Sequence, residues 1–268
     1  MHVASISRPD LAYACMRFSG YMSTPITPIF DALHQTMCYL HHHRHLPIMY
    51  PSKQLRHGGD SIQTFWDTGK AEYLSPEFGD ELSTFIDADH ARCLRTRRST
   101  SVYFILLNGT LLNGVVVSWS CKKQPQTALH STGSEITALH HGAFKTVLLP
   151  SFLQSIGIHL NTPTPTYEDN QGTIKLVRTH RLTDTVRHHA VKIAWLNENF
   201  DNDQLKLAYT KTTLMLCDCS TKPSNGAKLY DQTSYAIGQR FYPTPDQQHY
   251  HDLCLQDYSY LYRFPKNS

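Results

Sequence analysis

Four acidic residues, far apart along the chain, occupy positions where carboxylates can do chemistry. Asp87 and Asp169 each end a β-prone run, Glu135 falls in the first turn of a long helical pattern, and Asp218 lies in a short helical pattern. Carboxylates brought together repel one another, and hard divalent cations, which prefer oxygen ligands, remove that repulsion. The four acids therefore predict a site for two Mg²⁺ ions, with Mn²⁺ as a substitute, that hydrolyses phosphodiesters in line.

Each acid by itself carries little weight, because an aspartate at a strand end is usually a solvated turn residue. Asp89, which follows Asp87 by two residues, is either such a turn residue or a spare ligand. The prediction depends on the joint placement of the four acids on a sheet that aligns its first and fourth strands.

The first part of that sheet is predicted by three β-prone runs, at 82–86, 102–107 and 115–119. Polar or glycine-bearing turns separate them, notably Asn108-Gly109 and Asn113-Gly114. Strands spaced so closely favour an antiparallel meander.

Helical and β-prone patterns then alternate. They fall at these positions: a helix from about 131, a strand at 164–167, a helix after 172, a helix at 186–200, a strand at 205–209 and a helix at 212–221. This order predicts an α/β fold with a mixed five-stranded sheet, in which three antiparallel strands are followed by parallel crossovers and helices flank the sheet.

The chain divides into four predicted parts. Residues 1–50 show two helical apolar patterns, and residues 51–80, rich in glycine, serine and charge, predict a linker. Residues 81–223 contain the predicted sheet. The tyrosine-rich tail, 224–268, has no predicted structure.

Composition sets limits on the class of protein. A chain of 268 residues with 40% hydrophobic residues can bury a substantial core, and a net charge of +3 permits binding to nucleic acid without demonstrating it. Seven scattered cysteines favour reduced thiols over a disulfide framework. Without an apolar signal core or a run of about 20 apolar residues, we expect a cytoplasmic or nuclear protein that is neither secreted nor membrane-bound.

Ordered blocks of sequence run along most of the chain. They are Ser7 to Tyr13 (SRPDLAY), Asp87 to Asp89, Arg97 to Ser101, Ser118 to Gln124 (SWSCKKQ), Glu135, Asp169 to Gln171, Arg187 with His188, and Asp218 with Thr221 and Lys222. In this order they resemble the C-terminal end of Ty1/copia-type retrotransposon polyproteins, over residues 7 to about 223.

The resemblance implies a ribonuclease H domain, which degrades the RNA strand of an RNA–DNA hybrid inside a retroelement particle. It implies that the four acids are the catalytic and metal-binding residues, and that a polymerase portion of the polyprotein precedes them. It also implies that residues 1–50 are the trailing thumb or connection helices of a reverse transcriptase, with an apolar surface that faced the polymerase. No Tyr-x-Asp-Asp motif is present, so we predict no polymerase activity. The sequence departs from the family pattern at His90, Gly133, Ile136, Cys217 and His189-Ala190.

Five further residues are predicted to contact the hybrid. Binding requires phosphate contacts and recognition across the shallow minor groove. The predicted residues are Gln171, Arg98, Lys123, Arg187 and His188. For Lys122-Lys123, a solvated turn is an alternative of nearly equal weight.

Two other functions compete with this interpretation. An integrase or transposase uses the same sheet and chemistry, but its acids run Asp, Asp, Glu, whereas here Glu135 lies between aspartates. The other is a catalytically silent or domesticated domain that binds protein or nucleic acid. The run His41 to His45 suggests a metal site, but surface histidines are the simpler explanation because no matching cysteine or acid completes a ligand set.

Overall fold

The computed structural model describes residues 2–44, 48, 82–107, 115–156, 160, 163–180 and 184–221. The predicted linker at 51–80, the predicted tail at 224–268, the turns at 108–114 and Lys222 lie outside these residues.

A mixed five-stranded sheet forms the centre of the fold. Its strands are β1 (Leu82–Asp89), β2 (Thr100–Leu107), β3 (Val115–Lys123), β4 (Thr164–Glu168) and β5 (Leu205–Tyr209). They lie in the order β3-β2-β1-β4-β5, with antiparallel pairing among β1, β2 and β3 and parallel pairing of β4 with β1 and β5. The predicted sheet is confirmed.

The helices are numbered in chain order. They are α1 (His2–Ile6), α2 (Ala12–Ser19), α3 (Thr27–His42), α4 (Ser131–Ser155), α5 (Gln171–Arg178), α6 (Ala190–Asp201) and α7 (Asp218–Thr221). Three 3-10 turns, at Pro9–Leu11, Asp184–His189 and Thr212–Leu214, complete the described elements.

Several element boundaries differ from the predicted ones. Strand β1 continues through Asp87 to Asp89, because β2 pairs with it as far as Thr100. The predicted helix 186–200 begins as a 3-10 turn and becomes α-helical only at Ala190. The predicted helix 212–221 is interrupted at Met215, an extended residue that is fully buried in the core.

Helix α4 lies close against one face of the sheet. A Cβ atom on Gly142 would lie 2.5 Å from Ile86 Cδ1, so only glycine permits this separation. One turn further along, the hydroxyls of Thr146 and Thr84 share a hydrogen bond of 2.8 Å. Because Glu135 lies two turns before Gly142, this packing fixes the position of the Glu135 backbone over the end of the sheet.

Helix α2 covers the opposite face and shares a core with the sheet. Tyr13 and Met16 pack in one buried cluster with Phe85, Phe104 and Tyr167. The indole of Trp119 donates a hydrogen bond of 2.8 Å to the carbonyl of Ala4 in α1. The N-terminal helices therefore contribute to the core that supports β1 and β4.

A buried ion pair organises the N-terminal helices. The Arg8 guanidinium contacts both carboxylate oxygens of Asp10, the closer at 2.6 Å, and donates to the carbonyl of His43. The hydroxyl of Tyr39 donates to the same carboxylate at 2.9 Å. Arg8 and Asp10 thus connect the start of α2 to the end of α3.

One face of α3 is apolar and exposed. Phe30, Leu33 and Met37 are 42–58% exposed at helical spacing. The predicted apolar surface at the N-terminal end of the chain is therefore present on this helix. Within the described residues, none of the helices is both long and apolar enough to cross a membrane.

Candidate active site

Three of the four predicted acids converge at one end of the sheet. Asp87 lies in β1, Asp169 directly follows β4, and Glu135 lies in the first turn of α4. One carboxylate oxygen from each lies within 4.8 Å of the other two. The parallel pairing of β1 with β4 aligns their carboxyl ends, and helix α4 begins above that edge.

Asp218, the fourth predicted acid, is not a member of this group. It begins α7 and is buried, with 1% of its surface exposed. The contact of α7 with the site is made by Thr221, whose hydroxyl donates to Asp87 Oδ2 at 2.8 Å. A role for Asp218 as the fourth ligand stays a prediction.

Hydrogen bonds hold two of the three carboxylates in place. Besides the Thr221 bond to Asp87, Thr212 donates to Asp169 Oδ2 at 2.7 Å. Both threonines come from the segment after β5, far from either acid in sequence. Such contacts orient carboxylates that bind metal ions.

The first turn of α4 is fixed by Gln124, the last residue of the SWSCKKQ block. Its side-chain amide donates to the hydroxyl of Ser101 at 2.8 Å and to the carbonyl of Ser134 at 2.9 Å. Ser134 immediately precedes Glu135. Gln124 therefore connects the β2–β3 edge of the sheet to the turn that carries the catalytic candidate.

A fifth acid, Glu168, lies beside the three and was missed by the sequence analysis. It is fully buried as the last residue of β4, and its Oε1 accepts a hydrogen bond from the backbone N–H of Asn170. Its Oε2 has no hydrogen-bond partner among the described residues. The alternation of side chains along β4 could have identified it. Neighbouring residues of a strand point to opposite faces, so Glu168 faces the side on which α4 packs and Tyr167 faces the other side.

The acids raise one another's proton affinity. Burial raises the pKa of Glu135 well above its ordinary value, and the carboxylates of Glu168, Asp87 and Asp169 raise it further. Burial likewise raises the pKa of Glu168, with Asp87 adding to the effect. The site therefore carries an electrostatic cost when its acids are ionised.

The residues present fit divalent cations. The ligand atoms are carboxylate oxygens, which are the ligands that Mg²⁺ and Mn²⁺ prefer. Glu135 Oε2 is buried and has no hydrogen-bond partner in the part of the chain that the structure describes. A cation held by Asp87, Glu135 and Asp169 would satisfy that oxygen and compensate the repulsion among the acids.

We expect Glu135→Gln to stabilise the metal-free protein at neutral pH. Because the folded-state pKa of Glu135 is raised, its contribution to stability is present below its unfolded pKa, about 4.3, and is lost as pH rises through the folded value. Glutamine carries no charge and avoids this loss. A gain of about 1–2 kcal/mol in the free energy of unfolding corresponds to a rise of roughly 2–8 °C in Tm.

Thermal unfolding in EDTA at several pH values measures this effect. We expect the wild-type Tm to fall more steeply than that of Glu135→Gln above about pH 4.5. The exposed Glu198 in α6 offers a control, since Glu198→Gln should follow the wild type. If Tm changes with pH in the same way in the wild type and in Glu135→Gln, ionised Glu135 does not destabilise the metal-free protein.

We also expect Thr221→Val to weaken Mn²⁺ binding by about 10- to 100-fold, because Asp87 loses the hydroxyl that orients it. Thr221→Ser keeps the hydroxyl and should restore most of the affinity. Isothermal titration calorimetry of both variants checks this. An equal loss of Mn²⁺ affinity in Thr221→Val and Thr221→Ser would mean that Thr221 acts through packing and not through its hydroxyl.

The five predicted substrate-binding residues lie around the same end of the fold. Gln171 is the exposed first residue of α5, after the Asn170 cap that accepts from the backbone N–H of Thr173. Arg98 is exposed in the β1–β2 connection, and Arg187 and His188 are exposed on the 3-10 turn before α6. Their contacts with a hybrid stay predictions.

Lys123, the remaining predicted contact, already has a partner. Its ammonium lies 3.1 Å from the sulfur of the buried Cys93. Burial alone would raise the pKa of the Cys93 thiol, but hydrogen bonds from Thr96 and Lys123 outweigh burial and lower it to about 6. Lys122, which is exposed, is more available to an external anion.

Two departures from the family pattern are structurally coupled. A Cβ on Gly133 would lie 3.0 Å from His189 Nε2, so the glycine makes room for this buried ring. Burial lowers the pKa of His189 to about 4, with His188 and Lys192 acting in the same direction. His189 is therefore a neutral packing residue against the first turn of α4.

No protein-family model matches the chain. Similar proteins include the retrovirus-related Pol polyprotein from transposon RE2 of Arabidopsis thaliana, 27% identical over 219 residues, which are 82% of this chain and 13% of that polyprotein. A Pol polyprotein from transposon TNT 1-94 of Nicotiana tabacum is 29% identical over 150 residues, 55% of this chain and 11% of the relative. The homologues of this chain are retrovirus-related Pol polyproteins from copia-type transposons.

This family resemblance, predicted from the sequence blocks, is confirmed. The chain spans about an eighth of the length of the RE2 Pol polyprotein. It is also similar to secreted RxLR effector protein 161 of Plasmopara viticola, 31% identical over 153 residues, which are 56% of this chain and 84% of that protein.

Solved structures with a similar fold are ribonuclease H domains. One is the N-terminal domain of Rv2228c from Mycobacterium tuberculosis, with 10% identity, coverage of 50% of this chain and 84% of that chain, and a TM-score of 0.35. Another is a ribonuclease H1 isolated from compost, with 11% identity, coverage of 60% and 99%, and a TM-score of 0.38. The strand order β3-β2-β1-β4-β5, with three antiparallel strands followed by two parallel ones, is that of a ribonuclease H-like fold.

Proposed function

We propose that this Pol segment is a divalent-cation-dependent endonuclease that hydrolyses the RNA strand of RNA–DNA hybrids. The supporting observation is the convergence of Asp87, Glu135 and Asp169 within 4.8 Å at the carboxyl ends of β1 and β4. The similar proteins support the choice of substrate, since those named Pol polyproteins are retrovirus-related.

The chain's own residues would hold two Mg²⁺ ions and orient them toward a phosphodiester. Asp87, Glu135 and Asp169 supply the ligand oxygens, and Asp218 is the predicted fourth ligand. Thr221 and Thr212 restrict two of the carboxylates to fixed orientations. Two cations held there would supply Lewis-acid chemistry, namely activation of a water molecule and charge compensation at the leaving oxygen.

The proposed nuclease function also implies partners and a cellular compartment. We propose that an RNA–DNA hybrid is the substrate and that the polymerase portion of a Pol polyprotein assists in gripping it. The exposed apolar face of α3, formed by Phe30, Leu33 and Met37, is a surface that such a portion could cover. A cytoplasmic or nuclear retroelement particle is the compartment that agrees with this role.

A panel of end-labelled substrates tests the proposal. The full chain is incubated with Mg²⁺ or Mn²⁺ and an RNA–DNA hybrid, duplex DNA, duplex RNA or single strands. We expect internal cuts in the RNA strand of the hybrid and in no other strand. Cleavage of duplex DNA would favour an integrase-like nuclease, and well-folded protein that cleaves nothing would favour a silent binding domain.

A further inference from the structure

A cleft of about 260 Å³ lies beside α4, where the helix faces the end of β3. Positively charged or imidazole side chains line much of it. They are Lys122, Lys123, His140, His141 and Lys192. None of the lining residues in the described part of the chain carries a carboxylate.

The cleft has an uncompensated positive field. Burial lowers the pKa of His141, and the nearby Lys122 and Lys145 lower it further. His140 behaves in the same way, with Lys192 adding to the effect of burial. The lowered pKa favours the neutral ring of both histidines, so the positive charge of the cleft comes from its lysines, and an anionic ligand would stabilise that charge.

Contacts within the protein hold the walls of the cleft in place. The ammonium of Lys192 donates to the hydroxyl of Thr137 at 3.2 Å. The ring of His140 stands edge-on to Trp195, and the ring of His141 edge-on to Tyr103. A ligand therefore meets side chains whose orientations are already restricted, which lowers the entropy lost on binding.

The cleft adjoins the three acids along α4. Thr137 and His141 follow Glu135 by two and six residues, which places them about 3 and 9 Å along the helix axis. One strand of a duplex carries one charge per roughly 3.4 Å of its axis, so this distance corresponds to about one to three nucleotides. Phe144, 42% exposed at the rim, offers an aromatic surface to a sugar or base.

We propose that this cleft binds phosphodiester groups of the nucleic acid that is cut at Asp87, Glu135 and Asp169. The inference rests on the proposed nuclease function. It adds the place where the nucleotides next to the cleaved phosphodiester would bind. An acidic polypeptide fits the charge equally well but gains nothing from the adjoining carboxylates. A phosphodiester chain bound through cations at those carboxylates continues directly into the cleft.

Single-charge variants of the full chain test this site. A fluorescein-labelled RNA–DNA hybrid is titrated in EDTA, where no cleavage occurs, at salt concentrations of about 50–200 mM. We expect Lys122→Gln and Lys192→Gln each to weaken binding several-fold and to lower the slope of log affinity against log salt by about 0.9. Lys206→Gln is the matched control, because Lys206 is exposed at the end of β5 away from the acids.

Several outcomes would contradict the proposal that the cleft binds phosphodiester groups. They are affinities and slopes unchanged in both cleft variants, equal losses in Lys206→Gln, or no binding of the hybrid by the wild type. Binding of a polyglutamate peptide that depends on Lys122 and Lys192, without binding of the hybrid, would identify an acidic polypeptide as the ligand. Thermal unfolding confirms that each variant is folded.

Cleavage by the same preparations separates this inference from the proposed function. If the wild type cleaves the hybrid and the cleft variants bind it normally, only the proposal about the cleft is contradicted. Wild-type protein that binds through Lys122 and Lys192 but does not cleave with Mg²⁺ or Mn²⁺ overturns the nuclease and supports the cleft.

Discussion

Replacing Asp87 by asparagine should reduce cleavage of an RNA–DNA hybrid on the order of 10⁴-fold, because removal of one member of a catalytic set commonly disables the whole set. Asp87 is buried, lies at the centre of the converging acids and accepts a hydrogen bond from Thr221. Asparagine keeps the shape of the side chain but lacks the charge that binds cations. Initial rates with Mg²⁺ and with Mn²⁺ measure the effect.

Asp89 supplies the matched control for this substitution. It ends the same strand, and its carboxylate lies 3.7 Å from Arg92, outside the group of three. We expect Asp89→Asn to retain activity within about threefold, in the range of surface substitutions. Comparable losses in Asp87→Asn and Asp89→Asn would indicate damage to β1 rather than loss of a ligand, and full activity in Asp87→Asn would contradict the proposed site.

The largest expected effect on stability comes from Asp10→Ala, at about 3–5 kcal/mol of unfolding free energy. The substitution leaves the buried Arg8 guanidinium without its carboxylate and removes the acceptor of the Tyr39 hydroxyl. The whole α1–α3 layer depends on this contact, and α2 shares its core with β1 and β4. Urea unfolding followed by circular dichroism measures the loss.

Two further variants separate charge from packing. Asp31→Ala, at an exposed position on α3, should change stability by less than about 0.5 kcal/mol. Arg8→Met combined with Asp10→Leu removes both charges and should recover most of the loss, since apolar residues often replace a buried ion pair without cost. If Asp10→Ala unfolds like Asp31→Ala, the pair does not organise the N-terminal layer.

The sequence predicted the mixed five-stranded sheet and the convergence of Asp87, Glu135 and Asp169. The β-prone runs and their turns indicated the antiparallel part, and the alternation after Glu135 indicated the parallel part. From these, the meeting of Asp87 with Asp169 follows, since parallel strands align their carboxyl ends. Glu135 joins these two aspartates because helix α4 begins at the same edge of the sheet.

Contacts between distant residues were beyond prediction. Thr212 and Thr221 lie far from the carboxylates that they orient, and no local pattern connects them. Arg8 and Asp10 resemble a surface pair in sequence, because only the packing of α3 buries them. For Asp218, its place among the ordered blocks predicted membership of the site, whereas the structure brings Thr221 of the same helix to Asp87.

Some sequence blocks have a structural role rather than a chemical one. Trp119 binds the backbone of α1, and Gln124 binds the first turn of α4. Both lie in the SWSCKKQ block, in which the sequence assigned a role only to Lys122 and Lys123, as a substrate contact or a solvated turn. Their side chains hold the layers whose relative position determines where Glu135 lies.

The location of bound Mn²⁺ tests the central claim most directly. Crystals of the full chain grown with Mn²⁺ and measured at the manganese absorption edge show each ion as an anomalous peak. We expect two peaks about 4 Å apart, in contact with the carboxylates of Asp87, Glu135 and Asp169. Empty density among these three acids, at a Mn²⁺ concentration that supports cleavage, would contradict the assignment of this cluster as the catalytic centre.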